Sequence, residues 1–159
     1  MKLGKKGFTL VEIMIVVAII GLLAAIAIPN LLRARINSND SAVQGDTRAF
    51  STANESFRAG SQPPTYAANL GLMTAPAGGA PPYLDVTWVN GAVKHGHVIA
   101  YAPGAAVGGI ISTYTLTSNR QANQALNSYC IDHTGVLRVN VNAAAATVGA
   151  GACTGAPVA

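Results

Sequence analysis

Residues 1–32 read Met1-Lys2-Leu3-Gly4-Lys5-Lys6-Gly7-Phe8-Thr9-Leu10-Val11-Glu12-Ile13-Met14-Ile15-Val16-Val17-Ala18-Ile19-Ile20-Gly21-Leu22-Leu23-Ala24-Ala25-Ile26-Ala27-Ile28-Pro29-Asn30-Leu31-Leu32. A seven-residue start carrying Lys2, Lys5 and Lys6 ends at Gly7, and of the twenty-one residues from Phe8 to Ile28 only Thr9 and Glu12 are polar. At about 1.5 Å per residue that run reaches roughly 31 Å as a helix, enough to cross a hydrocarbon core of about 30 Å. Three lysines before the run and only Arg33 and Arg35 soon after it favour a cytoplasmic amino terminus, so the remainder is expected outside the cytoplasm.

Glu12 does not belong in a plain anchor. An ionisable group in an apolar span is costly and points to function where a partner can be named. The span itself supplies none. Lys5 or Lys6 looping back is one candidate; the more economical is an amine made by cutting after Gly7, so that Phe8 becomes the terminus of a neighbouring copy. That cut also removes the three lysines and takes the formal charge from +4 to +1 (4 − 3). A secretory signal peptide with a site at Ala25-Ile26-Ala27 competes, as does an uncut signal anchor. The long run and Glu12 argue against the first, and Glu12 against the second.

The segment Gly7-Phe8-Thr9-Leu10-Val11-Glu12, followed by an apolar helix with Gly21 and Pro29, resembles the class III leader and N-terminal helix of type IV pilins and of type II secretion pseudopilins. The resemblance covers about the first thirty-two residues. It implies a prepilin peptidase that cuts between Gly7 and Phe8 and methylates the Phe8 amine. It further implies that Glu12 pairs with the terminal amine of a subunit already in the fibre. The implied partners are identical subunits, that peptidase, an inner-membrane assembly platform with its ATPase, and membrane lipid before assembly. The precursor would sit in a bacterial inner membrane and the assembled filament outside the cell, or in the periplasm for a pseudopilin.

Past the span, Ile36, Val43, Phe50 and Phe57 recur every seven residues, with Leu32 and Ala53 between them, while Asn37, Asn39, Asp46, Arg48, Asn54 and Glu55 lie largely off the stripe. One helix is therefore expected from Phe8 to about Ala59, greasy all round in its first half and amphipathic in its second. Pro29 should kink it, Gly21 and Gly45 are weak points, and Gly60 is a natural C-cap.

Residues 61–84, with five prolines (Pro63, Pro64, Pro76, Pro81 and Pro82) among glycines, read as a long connecting loop at the surface. From Asp85 the pattern turns to strands: Val86–Val89, a turn at Asn90-Gly91, Val98–Tyr101, Ile110–Thr117, then Tyr129–Asp132 and Val136–Val139 around a His133-Thr134-Gly135 turn. The expected fold is α+β, a long N-terminal helix packed on three or four antiparallel strands. Its parts are a leader (1–7), a membrane and filament-core segment (8–28), the amphipathic half of the helix (29–59) and an extracytoplasmic β head (60–159).

Cys130 and Cys153 fall on the oxidising side of the membrane, and a disulfide between them would tie back the Gly/Ala-rich tail around Ala143–Ala146. Unpaired thiols are the alternative, and two cysteines make no zinc site. His95 and His97 straddle Gly96 and would share a strand face, but solvated loop histidines are the expected outcome, with no metal assigned.

Calcium, which major pseudopilins hold near their C-terminus, needs more acids than Asp40, Asp46, Glu55, Asp85 and Asp132 offer. The cysteine pair and the missing acid cluster favour a pilin over a pseudopilin. Away from the leader the basic residues are scattered, which excludes a nucleic-acid stripe. No nucleophile elbow, phosphate loop or metalloprotease helix is present, so neither an enzyme nor a cofactor is expected. Outside the family, a membrane-anchored binding domain with an uncut leader is the more distant reading.

Overall fold

The computed structural model describes residues 7–141, 143, 145, 146, 148, 149 and 152–158. The leader lysines Lys2, Lys5 and Lys6, and Ala144 of the tail, lie outside the described residues. The chain forms two compact units, 1–35 and 36–159.

Helix α1 (Leu10–Gly60) runs through both. It starts two residues later than the apolar run because Thr9 is its N-cap, and it continues through Pro29, which withholds one backbone donor. In the first unit the apolar side chains from Phe8 to Leu32 stay exposed, from 85% at Phe8 to 50% at Leu32. This stretch is long and apolar enough to cross a membrane.

In the second unit α1 presents one face to a sheet. Val43 and Phe50 are fully buried, as the seven-residue stripe predicts, while Ile36 and Phe57 are half-buried. The stripe is less apolar than its sequence suggested: Asp40, Thr47, Ser51 and Asn54 are buried along it. Each is paired across the interface. The Thr47 Oγ1 lies 3.3 Å from Ser118 Oγ, Ser51 Oγ lies 3.0 Å from the Tyr114 hydroxyl, and Asn54 Oδ1 accepts the Ala67 N–H at 3.4 Å. Polar groups survive burial when bonded, and periodicity of apolar residues alone does not reveal such pairs.

After α1 come, among the described residues, a four-residue helix α2 (Gly71–Thr74), a 3-10 turn (Ala77–Gly79) and ten strands: β1 (Val93–Lys94), β2 (His97–Pro103), β3 (Ala106–Val107), β4 (Ile110–Ile111), β5 (Tyr114–Arg120), β6 (Ser128–Asp132), β7 (Arg138–Asn140), β8 (Val148–Gly149), β9 (Ala152–Cys153) and β10 (Ala156–Pro157). Six of them form one antiparallel sheet in the order β1-β2-β5-β6-β7-β10, where three or four strands were expected. The additional edge strands are two residues long, too short to leave an alternating pattern.

The core gathers around Phe50, whose ring centroid lies 5.3 Å from Trp88, 5.5 Å from Tyr101 and 6.0 Å from Tyr114. The connection 61–84 is not purely a surface loop: Tyr66, Ala67, Leu70, Met73 and Leu84 are buried and close the core.

Three strand boundaries differ from the sequence reading. Val86–Val89 is no strand, because Asp85 captures the Thr87 N–H at 2.8 Å and its hydroxyl, which turns the chain. The run Ile110–Thr117 breaks at Ser112-Thr113: β4 pairs with β3 as a separate hairpin, and the Thr113 carbonyl accepts the Gly104 N–H at 2.8 Å. A Cβ on Gly104 would meet Thr113 Oγ1 at 2.0 Å, so this close crossing admits only glycine. The last hairpin strand begins at Arg138 instead of Val136. The Asn90-Gly91 turn does form, and Asn90 uses its side chain to close the β2 edge, accepting the Tyr101 N–H at 2.7 Å and donating to the Tyr101 carbonyl at 3.3 Å.

Candidate functional site

The residues singled out at the start of α1 form a local structure. Gly7 has nothing within 4 Å of where a side chain would begin, and Phe8 is 85% exposed. Thr9 and Glu12 make a reciprocal cap: the Thr9 hydroxyl accepts the Glu12 N–H at 3.2 Å, and Glu12 Oε2 accepts the Thr9 N–H at 2.8 Å and the Thr9 hydroxyl proton at 2.7 Å. This is the Thr-x-x-Glu capping box, in which two of the helix's unsatisfied donors find side-chain acceptors.

That arrangement corrects the expectation that the span offers Glu12 no partner. Thr three positions before Glu at the head of an apolar run is a legible signature of such a cap, which a reading of Thr9 as merely polar misses. Both Thr9 bonds end on Oε2, and no bond to Oε1 occurs among the described residues. The carboxylate also lies at the positive end of the helix dipole. Its geometry can therefore accept one further donor, such as an ammonium group, without breaking the cap. Gly21 has open space around it and Pro29 lies within the helix.

A second constellation holds the tail. Cys130 and Cys153 form the disulfide, with Cα atoms 5.7 Å apart. Tyr129, whose hydroxyl accepts from Gln44 of α1 at 3.1 Å, and Ile131 belong to the core, so Cys130 and Asp132, alternating with them on β6, face the opposite side of the sheet. There the main chain of the tail is bound by side chains of the sheet. Asp132 Oδ2 accepts the Cys153 N–H at 2.9 Å, Asn119 Oδ1 accepts the Ala146 N–H at 2.8 Å, and Ser128 donates to the Ala143 carbonyl at 2.8 Å. Arg138 donates to the Gly155 carbonyl at 3.1 Å and Asn140 to the Thr154 carbonyl at 3.2 Å.

Asp132 is the hub. Its Oδ1 accepts the Thr134 N–H at 2.9 Å and the Thr134 hydroxyl at 2.5 Å, fixing the 133–135 turn while Oδ2 holds the tail. Burial pushes its carboxyl up, but the hydrogen bonds from Thr134 and from the Cys153 N–H outweigh it and leave Asp132 below the usual carboxylate range. No local pattern signals this role, since it depends on which residues the sheet brings under the tail.

The two histidines do not share a strand face. His95 and Gly96, with φ of 48° and 71°, form the two-residue turn between β1 and β2, and His95 lies 3.4 Å from Asp46. His97 is fully buried, not solvated: its Nδ1 is 2.9 Å from the His95 carbonyl, and its Nε2 is 2.9 Å from the Asn127 carbonyl and 3.5 Å from Asp40. Asp40 also accepts the Leu126 N–H at 3.2 Å and the Asn127 amide at 3.0 Å, so this cluster clamps the β5–β6 loop to α1. Among the described residues no group of three or more His, Cys, Asp or Glu is arranged to hold a metal.

Comparison with known proteins finds matches that each cover a minor part of the chain. Residues 2–28 match the family model described as the prokaryotic N-terminal methylation motif. The chain is 54% identical over 52 residues to the type IV major pilin protein PilA of Myxococcus xanthus, a stretch covering 33% of this chain and 24% of the relative. It is 63% identical over 38 residues to the type IV wide pilus major component PilA4 of Thermus thermophilus, covering 24% and 29%. With the type IV major fimbrial protein FimA of Dichelobacter nodosus it shares 54% over 55 residues, covering 35% of each. The chain thus spans about a quarter to a third of the length of these relatives. No solved structure matches it.

Proposed function

We propose that the chain is a structural subunit, a pilin, of a type IV pilus-like filament, and not an enzyme. The observation that carries this reading is the carboxylate of Glu12, held by Thr9 at the start of a helix whose first half exposes its apolar side chains, with Oε1 open to a donor. The match to the N-terminal methylation motif over residues 2–28 and the partial similarity to type IV major pilins support it. The Cys130–Cys153 bridge fits a pilin better than a calcium-dependent pseudopilin.

In this reading a prepilin peptidase cuts between Gly7 and Phe8 and methylates the Phe8 amine. The mature subunit waits in the inner membrane until an assembly platform and its ATPase extract it. The Thr9 amide and hydroxyl survive the cut, so the cap persists and presents Oε1 to the terminal amine of a neighbouring copy. Apolar helices then replace lipid around one another, each buried Å² contributing about 25 cal/mol, while the Glu12 pair sets the register. The β head coats the outside of the fibre.

The test is Glu12→Ala, read in two fractions. Leader cleavage should be nearly unchanged in the membrane while sheared filaments disappear or become irregular. Normal, abundant fibres from this variant would refute the assignment of Glu12.

A further inference from the structure

We propose that Arg33 and Arg35 bind the phosphates of anionic phospholipids at the outer end of the span and thereby fix the depth at which the chain sits in the bilayer. The inference rests on the membrane-stored stage of the reading above and adds to it a lipid class and the residues that meet it.

Both arginines are exposed, and among the described residues neither takes part in an ion pair. No acid occurs in the sequence between Glu12 and Asp40, so their own unit offers no local counter-charge beyond Glu12, a span away. Two basic residues past the distal end of a span also run against the positive-inside tendency, and a local ligand would account for them. The guanidinium fork matches a phosphate in a bidentate way and is weakly hydrated, which suits it to a headgroup layer.

Spacing strengthens the argument. From Glu12 to Arg33 is twenty-one residues, about 31 Å of helix rise, against a hydrocarbon core of about 30 Å. With Arg33 among the outer phosphates, a few Å beyond the hydrocarbon, Glu12 falls just inside the opposite edge of the core, within reach of the headgroup layer. Arg33 and Arg35 lie about 200° apart around the axis, so they engage lipid on opposite sides and resist sliding inward. The mostly apolar stretch from Phe8 to Leu32, about 37 Å of helix against a hydrocarbon core of about 30 Å, is longer than that core and would not by itself fix the position. Once the leader is removed, no lysine remains at the other end, and these two arginines are the basic side chains that flank the span.

The experiment uses the full chain carrying Ile28→Trp in a Trp88→Phe background, reconstituted in phosphatidylcholine vesicles with or without phosphatidylglycerol. Lipids brominated at different depths report where the tryptophan lies, and circular dichroism verifies that each variant is folded. Phosphatidylglycerol should draw the tryptophan outward by about one helical turn, roughly 5 Å. The double change Arg33→Gln and Arg35→Gln should abolish that shift, and Arg33→Lys with Arg35→Lys should retain its direction. Equal depth in both lipids, or a shift that survives the glutamine changes, would overturn the proposal. Absence of quenching at every depth would overturn it together with the membrane span, an outcome distinct from the other two.

Discussion

Replacing Cys130 and Cys153 together by alanine isolates what the disulfide contributes. The bridge closes a loop of 23 residues, for which the chain-entropy model gives about 3 kcal/mol. Both sulfurs are buried, with Cys130 at 0% and Cys153 at 6% exposure, so their loss adds a small packing deficit of the same sign. For a unit of this size that predicts a fall in melting midpoint of about 10 °C. The change should also be local. The amides of residues 153 and 158, bonded to Asp132 and to the Leu137 carbonyl at 2.9 and 2.8 Å, should exchange much faster, whereas β5 and β6 keep their protection. Trp88, buried against Phe50, reports the global transition, and hydrogen exchange reports the tail. Reducing the unmodified chain should reproduce both effects. A midpoint within about 2 °C of the parent, with residues 153 and 158 still protected, would refute the claim that the bridge holds the tail.

Other outcomes follow from the same contacts. Because Asp132 is depressed in the folded chain, its contribution is present above the ordinary carboxylate value of about 3.9 and is lost as pH falls through the lower folded value. An acid titration of Trp88 fluorescence should therefore show a stability limb below pH ~4 that Asp132→Asn flattens; an identical limb in that variant would contradict the hub. Thr9→Val removes the hydroxyl that both donates to and accepts from Glu12, and should lower filament yield several-fold with cleavage intact, while Thr9→Ser restores it. Equal yields from the two variants would argue against the cap. Phe50→Ala empties the centre of the aromatic cluster and should destabilise by about 3–5 kcal/mol in denaturant unfolding; a change below about 1 kcal/mol would mean the cluster repacks.

What could be read from the sequence divides by the range of the interaction. The long apolar helix, the second-half stripe through Val43 and Phe50, and the Asn90-Gly91 turn rest on local pattern, and all three reappear in the structure. The cysteine pairing was inferred from compartment and loop closure, and the bridge is present. Readings failed where a side chain bonds to a distant backbone or where two residues override propensity. Val86–Val89 has strand-forming residues, yet Asp85 turns it. His97 beside Gly96 resembles a loop histidine, yet the sheet carries it under Asp40 and Asn127. Asn54 reads as solvent-facing, but it pairs with the Ala67 backbone inside the core. Thr9 differs from these, since its capping signature, Thr three positions before Glu at the head of an apolar run, is local and legible in the sequence.

The measurement that bears most directly on the central claim is intact mass with N-terminal sequencing of the protein, taken separately from sheared surface material and from membranes. The filament-subunit account predicts a chain in the sheared fraction that begins at methylated Phe8 and contains the internal disulfide. A chain beginning at Met1 in both fractions, or cut near Ile28, would contradict it.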